Sequence, residues 1–239
     1  MNESLIKSYS QYLVKSVNLS RAILVVGASG TGKTTCADNL PDAETCIINI
    51  ENKPLPFKKV FTNVLSNLPQ DHNKILQLIC DISKDFKYLF IDSFTAYWEV
   101  LYRHCQLTQK GYEIYNVFNN EITKFLTTIK SLQTPFVILT ARDELVKIEN
   151  TDGSTASKLR AGIIGKQWET RQIESQFTYV LFTDPKKQAG KEALSYDFIT
   201  NSDTIRTAKT PSKYGFSFRV PNDIKSICDS IERVDGEVK

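Results

Sequence analysis

The chain has 239 residues, 41% of them apolar, with a formal net charge of +3: enough to bury one sizeable core, and too little charge to demand a nucleic acid partner. Cys36, Cys46, Cys80, Cys105 and Cys228 are scattered without a C-x-x-C pair, which argues against a disulfide framework or a zinc site and fits a reducing compartment. No apolar run approaches the roughly 18 residues that a bilayer span needs, and residues 1–20 have no apolar core with a cleavage site, so a soluble, cytoplasmic protein without membrane contact is expected.

Residues 1–20 form an N-terminal extension with Leu5, Ile6, Tyr9, Tyr12, Leu13 and Val14 at helical spacing. Such a helix can lie across a sheet edge or serve as a polymerisation arm. Ala22–Val26 then reads as a buried strand and runs into Gly27-Ala28-Ser29-Gly30-Thr31-Gly32-Lys33-Thr34-Thr35, which satisfies the phosphate-loop pattern G-x-x-x-x-G-K-[ST]. Glycines at 30 and 32 let the backbone turn its N–H groups onto phosphate oxygens. Lys33 supplies a point charge for the β and γ phosphates, and the Thr34 hydroxyl suits Mg²⁺. A helix beginning near Lys33 is expected to add its dipole. These residues point to a nucleoside triphosphate binder, with ATP and Mg²⁺ as the expected ligands.

Pro41 breaks the pattern, and Thr45–Ile50 reads as a second strand that delivers Glu51 to the same crevice. Glu51 could orient and deprotonate an attacking water, or it could be a solvated loop acid. Residues 52–70, with Pro54, Pro56 and Pro69, read as a loop. Asp71 caps a helix running to Ile82, with His72 expected to be exposed in its first turn. Tyr88–Asp92 is an apolar strand ending in an acid, which makes Asp92 the expected Mg²⁺ carboxylate beside Thr34.

Two helices follow, Phe94–Gln109 and Glu113–Ser131, the second with Ile114, Val117, Phe118, Ile122, Phe125, Leu126 and Ile129 in one core stripe. Tyr97, Trp98 and Tyr102 are expected to pack against the sheet. Pro135–Thr140 is a fourth strand, and Thr140 or Arg142 at its end could sense the γ phosphate. A mobile insert is expected over residues 143–172, with a hairpin turning at Asp152-Gly153. Within it Lys158, Arg160, Lys166, Trp168 and Arg171 could grip a nucleic acid backbone and stack a base, or belong to a solvated connector. Thr178–Thr183 is a fifth strand. Ser195–Thr200 and Thr204–Ala208 read as a hairpin turning at Asn201-Ser202-Asp203, with Lys209 and Lys213 beyond it, and Asn222–Val234 is a closing helix.

This order of parts, from the phosphate loop through Glu51, Asp92-Ser93, Thr140-Ala141-Arg142 and Gly165-Lys166 to a late segment with Lys209, resembles the RecA-type ATPase core. More particularly it is similar to short phage-encoded RecA-like, AAA-domain proteins thought to act as minimal single-strand annealing recombinases. The resemblance implies one α/β domain over residues 1–239, with a mostly parallel central sheet flanked by helices and a C-terminal antiparallel hairpin. It implies that Glu51 primes water, that the insert contacts single-stranded DNA, and that Lys209 and Lys213 act in trans within a homo-oligomeric ring or filament. A single-strand-binding protein is a further implied partner. Other readings are a nucleotide-gated loader or adaptor acting on a protein, and a small-molecule or nucleotide kinase clamping its acceptor with Arg142, Arg160 and Arg171.

Overall fold

The computed structural model describes residues 20–149, 153–162, 164, 168, 172–187 and 194–237. The N-terminal extension, Lys166 and Arg171 lie outside the described residues.

Strand β1 (Arg21–Gly27) is apolar on both faces and buried from Ala22 onward, which suits a central strand of a sheet covered on each side. It runs parallel to β5 (Phe136–Glu149) on one side and β7 (Tyr179–Lys187) on the other, with Val25 opposite both Thr140 and Leu181. Beyond β5 lie β4 (Tyr88–Asp92), β2 (Thr45–Asn49) and the two-residue β3 (Val64–Leu65), all parallel. The order β3-β2-β4-β5-β1-β7-β8-β9 therefore inserts β5 between the strand that carries the phosphate loop and the strand that ends in Asp92. In this register Gly27 faces Arg142 and Asn49 faces Asp92, so the carboxyl ends of four strands open onto one crevice.

Strand alternation sorts the core into two layers. Leu24, Val26, Ile48, Leu89, Ile91 and Leu139 face helices α1 (His72–Ile82), α2 (Phe94–Thr108) and α3 (Glu113–Ser131). Ile23, Val25, Ile47, Phe90 and Ile138 face α4 (Ile224–Glu237) through Ile224, Ile227, Cys228 and Ile231. The α3 stripe is buried core from Phe118 to Ile129, as its spacing predicts. Asp71 caps α1 by accepting from the Asn73 and Lys74 N–H groups. This is the expected mixed α/β class with a mostly parallel central sheet.

The antiparallel part differs in its pairing from the sequence expectation. Strand β8 (Leu194–Ile199) pairs with β7 and with β9 (Arg219–Pro221), not with Thr204–Ala208. The Asp203 carboxylate instead accepts from the Ile205 N–H at 2.8 Å and from the Arg206 N–H at 2.5 Å, and the chain leaves this turn to bridge Leu159 and Val180. The expected turn exists, but it closes locally and does not reverse a strand onto β8. The outer half of β5, Asp143–Glu149, forms a hairpin with β6 (Thr155–Ala161), which bears out the pairing expected around Asp152-Gly153.

Two further expectations are corrected. No α-helix follows the phosphate loop: only two 3-10 turns, Thr35–Ala37 and Asp42–Glu44, precede β2, so the loop lacks the dipole of a long helix. His72 is 1% exposed, not a solvent-facing first-turn residue, because its ring packs 4.7 Å from that of His104 between α1 and α2, with Glu121 Oε2 3.5 Å from Nε2.

Candidate nucleotide site

A cleft of about 610 Å³ opens at the carboxyl ends of β1, β2, β4 and β5. Ser29, Gly30, Gly32, Lys33, Thr34 and Thr35 form one wall, Asp92, Ser93 and Glu51 another, and Pro54-Leu55-Pro56, Arg142 and Tyr196 the rim.

The loop is held by its own polar groups. Lys33 Nζ donates to the carbonyls of Gly27 at 2.8 Å and Ala28 at 2.6 Å, so its ammonium curls over the loop. Burial pulls the Lys33 pKa down, partly offset by the carboxylates of Asp143, Asp92 and Glu51. Thr31 donates to the Ala28 carbonyl and its Oγ1 lies 2.6 Å from that of Thr183 on β7. Gly32 sits at φ +91°, and a Cβ there would come within 2.7 Å of the Tyr196 ring. The Asn222 amide then donates to the Gly32 carbonyl at 2.8 Å. Residues from β8 and the turn between β9 and α4 thus fasten the end of the loop that a helix would otherwise hold.

Asp92 lies between the loop and β5. Thr34 Oγ1 donates to Oδ2 at 2.9 Å, and Thr140 Oγ1 donates to Oδ1 at 2.5 Å. Burial raises the Asp92 pKa above the ordinary carboxylate value, against the lowering effect of these two hydroxyls. Ser93 follows through a cis peptide, caps α2 through the Ala96 N–H, and donates to Glu51 Oε1 at 2.8 Å.

Glu51 is held at the end of β2 by the Asp92 carbonyl, which accepts from the Ile50 N–H at 2.6 Å and the Glu51 N–H at 3.4 Å. Its carboxylate receives the Ser93 hydroxyl and a short ion pair from Lys53, with an Arg142 nitrogen 3.7 Å away. Burial alone would raise the Glu51 pKa, but the bonds from Lys53 and Ser93 and the two cations outweigh it and hold the group below its ordinary value. A carboxylate with three partners and a place in the cleft wall is not a freely solvated loop acid.

The structure therefore brings together Lys33, Thr34, Glu51, Asp92, Thr140 and Arg142. Of the remaining candidates, those among the described residues are not brought to the cleft. Trp168 is 3% exposed and packs edge-on against Trp98 at 6.0 Å, within the core and not on an open stacking surface. Arg160 is buried on β6, and Lys158 donates to the Asp203 carbonyl at 3.2 Å. Lys213 pairs with Asp235, which also binds Arg21 at the opposite end of β1 from the loop. Lys209 pairs through its backbone with Val180, and burial lowers its pKa.

Sequence reasoning missed Ser93, Lys53, Tyr196 and Asn222. Ser93 had a signal, since it adjoins the acid at the end of β4. Tyr196 and Asn222 had none, because both reach the loop from distant parts of the chain.

Among the described residues no helix is long and apolar enough to cross a membrane, and no cluster of three or more His, Cys, Asp or Glu residues is arranged to hold a metal ion. No curated protein matches the chain. A KaiC-like protein from the hyperthermophilic archaeon Pyrococcus horikoshii is similar in structure, with 15% sequence identity and a TM-score of 0.44 over 75% of this chain and 78% of that one. The family model described as an AAA domain matches residues 20–215, well over half of the chain. With its phosphate loop, the acid at the end of β4 and that match, the chain belongs to the AAA-domain family of P-loop ATPases.

Proposed function

We propose that this protein is a RecA-like, Mg²⁺-dependent ATPase that binds single-stranded DNA, with hydrolysis in the cleft described above. The observation that carries the hydrolytic reading is the convergence of Lys33, Asp92 and Glu51 on one cleft from three separate strand ends.

The donor set fits Mg²⁺: a hydroxyl and a carboxylate, Thr34 and Asp92, already stand 2.9 Å apart facing the loop, and hard oxygen donors are what this ion prefers. Bound there, Mg²⁺ would neutralise charge on the phosphate oxygens. Lys33 would exchange the Gly27 and Ala28 carbonyls for phosphate oxygens, which are stronger acceptors for an ammonium. The N–H groups of the loop would bind the remaining oxygens. Glu51 would orient a water toward the γ-phosphorus and accept its proton, with Ser93 and Lys53 fixing the carboxylate. Arg142 stands 3.7 Å from Glu51, close enough to bias its charge while Ser93 and Lys53 hold its position.

Single-stranded DNA as the activating ligand is supported by resemblance to phage-type annealing proteins and by the hairpin of β5 and β6, which grows directly from Arg142 and carries Lys158. Assembly as a head-to-tail homo-oligomer follows from the same resemblance. Lys213, at the far end of β1, is the better placed of the two lysines to meet a neighbouring subunit's cleft. The kinase reading is disfavoured because Arg160 does not line the cleft.

The test is steady-state ATP hydrolysis with Mg²⁺, with and without oligothymidylate, across a salt series. Stimulation that falls as salt rises is expected. Tight ATP binding with turnover indifferent to DNA would replace this reading with that of an adaptor that responds to a protein.

A further inference from the structure

A second cavity, of about 280 Å³, abuts the triphosphate cleft on its α2 side. Glu51, Lys53 and Arg142 line both, so these three side chains are the partition between them. The far wall of the smaller cavity adds Glu99 and Arg103, one turn apart on α2.

Lys53 is committed to its ion pair with Glu51, but the two arginines of this cavity are loosely held. The Arg142 guanidinium stands 3.7 Å from Glu51 Oε1 and 3.9 Å from Glu99 Oε1, both beyond hydrogen-bond distance, and its side chain is 48% exposed. Arg103 is exposed and has no ion-pair partner among the described residues. Two planar guanidinium forks therefore face one space with donors to spare, an arrangement that suits bidentate capture of a phosphate-type oxyanion. The volume lies below the range of about 300–1,000 Å³ typical of pockets for whole small molecules, which suits one phosphodiester group better than a complete nucleotide.

We propose that this cavity is a second anion site, which takes a phosphodiester group of a single-stranded polynucleotide between Arg103 and Arg142 and in doing so draws Arg142 away from Glu51. The inference rests on the DNA-stimulated ATPase reading and adds the residues through which that ligand would reach the water-activating carboxylate. An anion in the cavity competes with Glu51 and Glu99 for one guanidinium. Because neither existing contact is a hydrogen bond, little is lost when Arg142 turns. Glu51 keeps Ser93 and Lys53, so the carboxylate stays in place while its third partner leaves.

The experiment measures ATP hydrolysis by the full chain and by Arg103→Ala against oligothymidylate concentration, each protein referred to its own rate without oligonucleotide. Inorganic phosphate at matched phosphate concentration forms a parallel arm. For Arg103→Ala the oligonucleotide concentration at half-maximal stimulation should rise about tenfold and the log–log salt slope fall by about one. Arg103→Lys, which keeps the charge but loses the fork, should fall between the two. Identical stimulation curves for the full chain and Arg103→Ala would overturn the site while leaving DNA stimulation intact. Absence of any oligonucleotide effect on the full chain would overturn both the site and the reading beneath it. Equal stimulation by inorganic phosphate alone would remove the polynucleotide as its occupant.

Discussion

Thr34 and Thr140 hold opposite oxygens of the same carboxylate: Thr34 Oγ1 donates to Asp92 Oδ2 and Thr140 Oγ1 to Oδ1. The first threonine belongs to the phosphate loop and the second to β5, the strand inserted between loop and acid. Asp92 is thereby fixed with one oxygen turned toward the loop, although burial favours its neutral form.

That arrangement separates two roles. In the proposed Mg²⁺ site Thr34 would be a ligand, whereas Thr140 would only orient the carboxylate from behind. Thr140→Val keeps the shape of the side chain and removes the hydroxyl. Loss of such an orienting partner typically costs about 10–100-fold in metal affinity or activity. The midpoint of a Mg²⁺ titration of ATPase activity should move upward in Thr140→Val, with ATP binding in the absence of metal little changed.

Glu51 and Lys33 should separate binding from turnover. Glu51→Gln retains shape and the Ser93 bond but cannot take a proton, so it should bind ATP normally and hydrolyse it about 10²–10⁴-fold more slowly. Lys33→Ala should lose tight ATP binding itself, because the other ammonium in the cleft lining, Lys53, is paired with Glu51 and not with the loop. Equilibrium titration with a fluorescent ATP analogue and single-turnover hydrolysis distinguish the two outcomes.

The sequence made the phosphate loop, the strand ending in Asp92 and the α3 stripe legible because each is a local pattern: fixed glycine spacing, an apolar run before an acid, and helical periodicity. Glu51 was ambiguous from position alone: Lys53 is two residues away, but Ser93 and Arg142 meet the carboxylate only when β2, β4 and β5 are set side by side. The late hairpin was misread because Asn201-Ser202-Asp203 is a sound turn, yet the partner of β8 is decided by β7 and β9. Trp168 suggested a stacking surface by composition, but its contact with Trp98 spans distant parts of the chain. The missing helix after the loop left no local signal at all, because the groups that replace it come from β8 and the turn between β9 and α4.

Asn222 therefore becomes a test of how the loop is held. Its amide bonds the Gly32 carbonyl across 190 residues of sequence, and the Tyr196 ring backs the same glycine. Asn222→Ala removes one hydrogen bond worth about 1 kcal/mol, equivalent to about a fivefold change in an equilibrium constant. The dissociation constant for ATP should rise by that factor while single-turnover hydrolysis of the bound nucleotide is retained. A loss confined to the chemical step, with unchanged affinity, would show that the contact is not an anchor for the phosphate-binding conformation.

Asp235 ties α4 to Arg21 at the opposite end of β1. Its Oδ2 accepts from Arg21 Nε at 3.0 Å and Nη2 at 2.7 Å, while Oδ1 accepts from Lys213 at 2.8 Å and the Tyr214 hydroxyl at 3.0 Å. Burial pushes the carboxyl upward, but the bonds from Lys213, Arg21 and Tyr214 outweigh it and hold its pKa below the ordinary value. A depressed pKa means that the unfolded chain binds the proton first as pH falls. The stabilisation is therefore complete above the ordinary aspartate range and is lost as pH drops through the folded-state value. Asp235→Asn should cost about 1.5–3 kcal/mol at neutral pH, the range for hydrogen bonds to charged groups. In urea unfolding followed from pH 7 downward, the gap between the two proteins should close as the medium becomes acidic, because the original carboxylate then loses the charge that the variant already lacks. A gap that stayed constant across that range would assign the loss to packing of α4 against β1 and not to the ion pair.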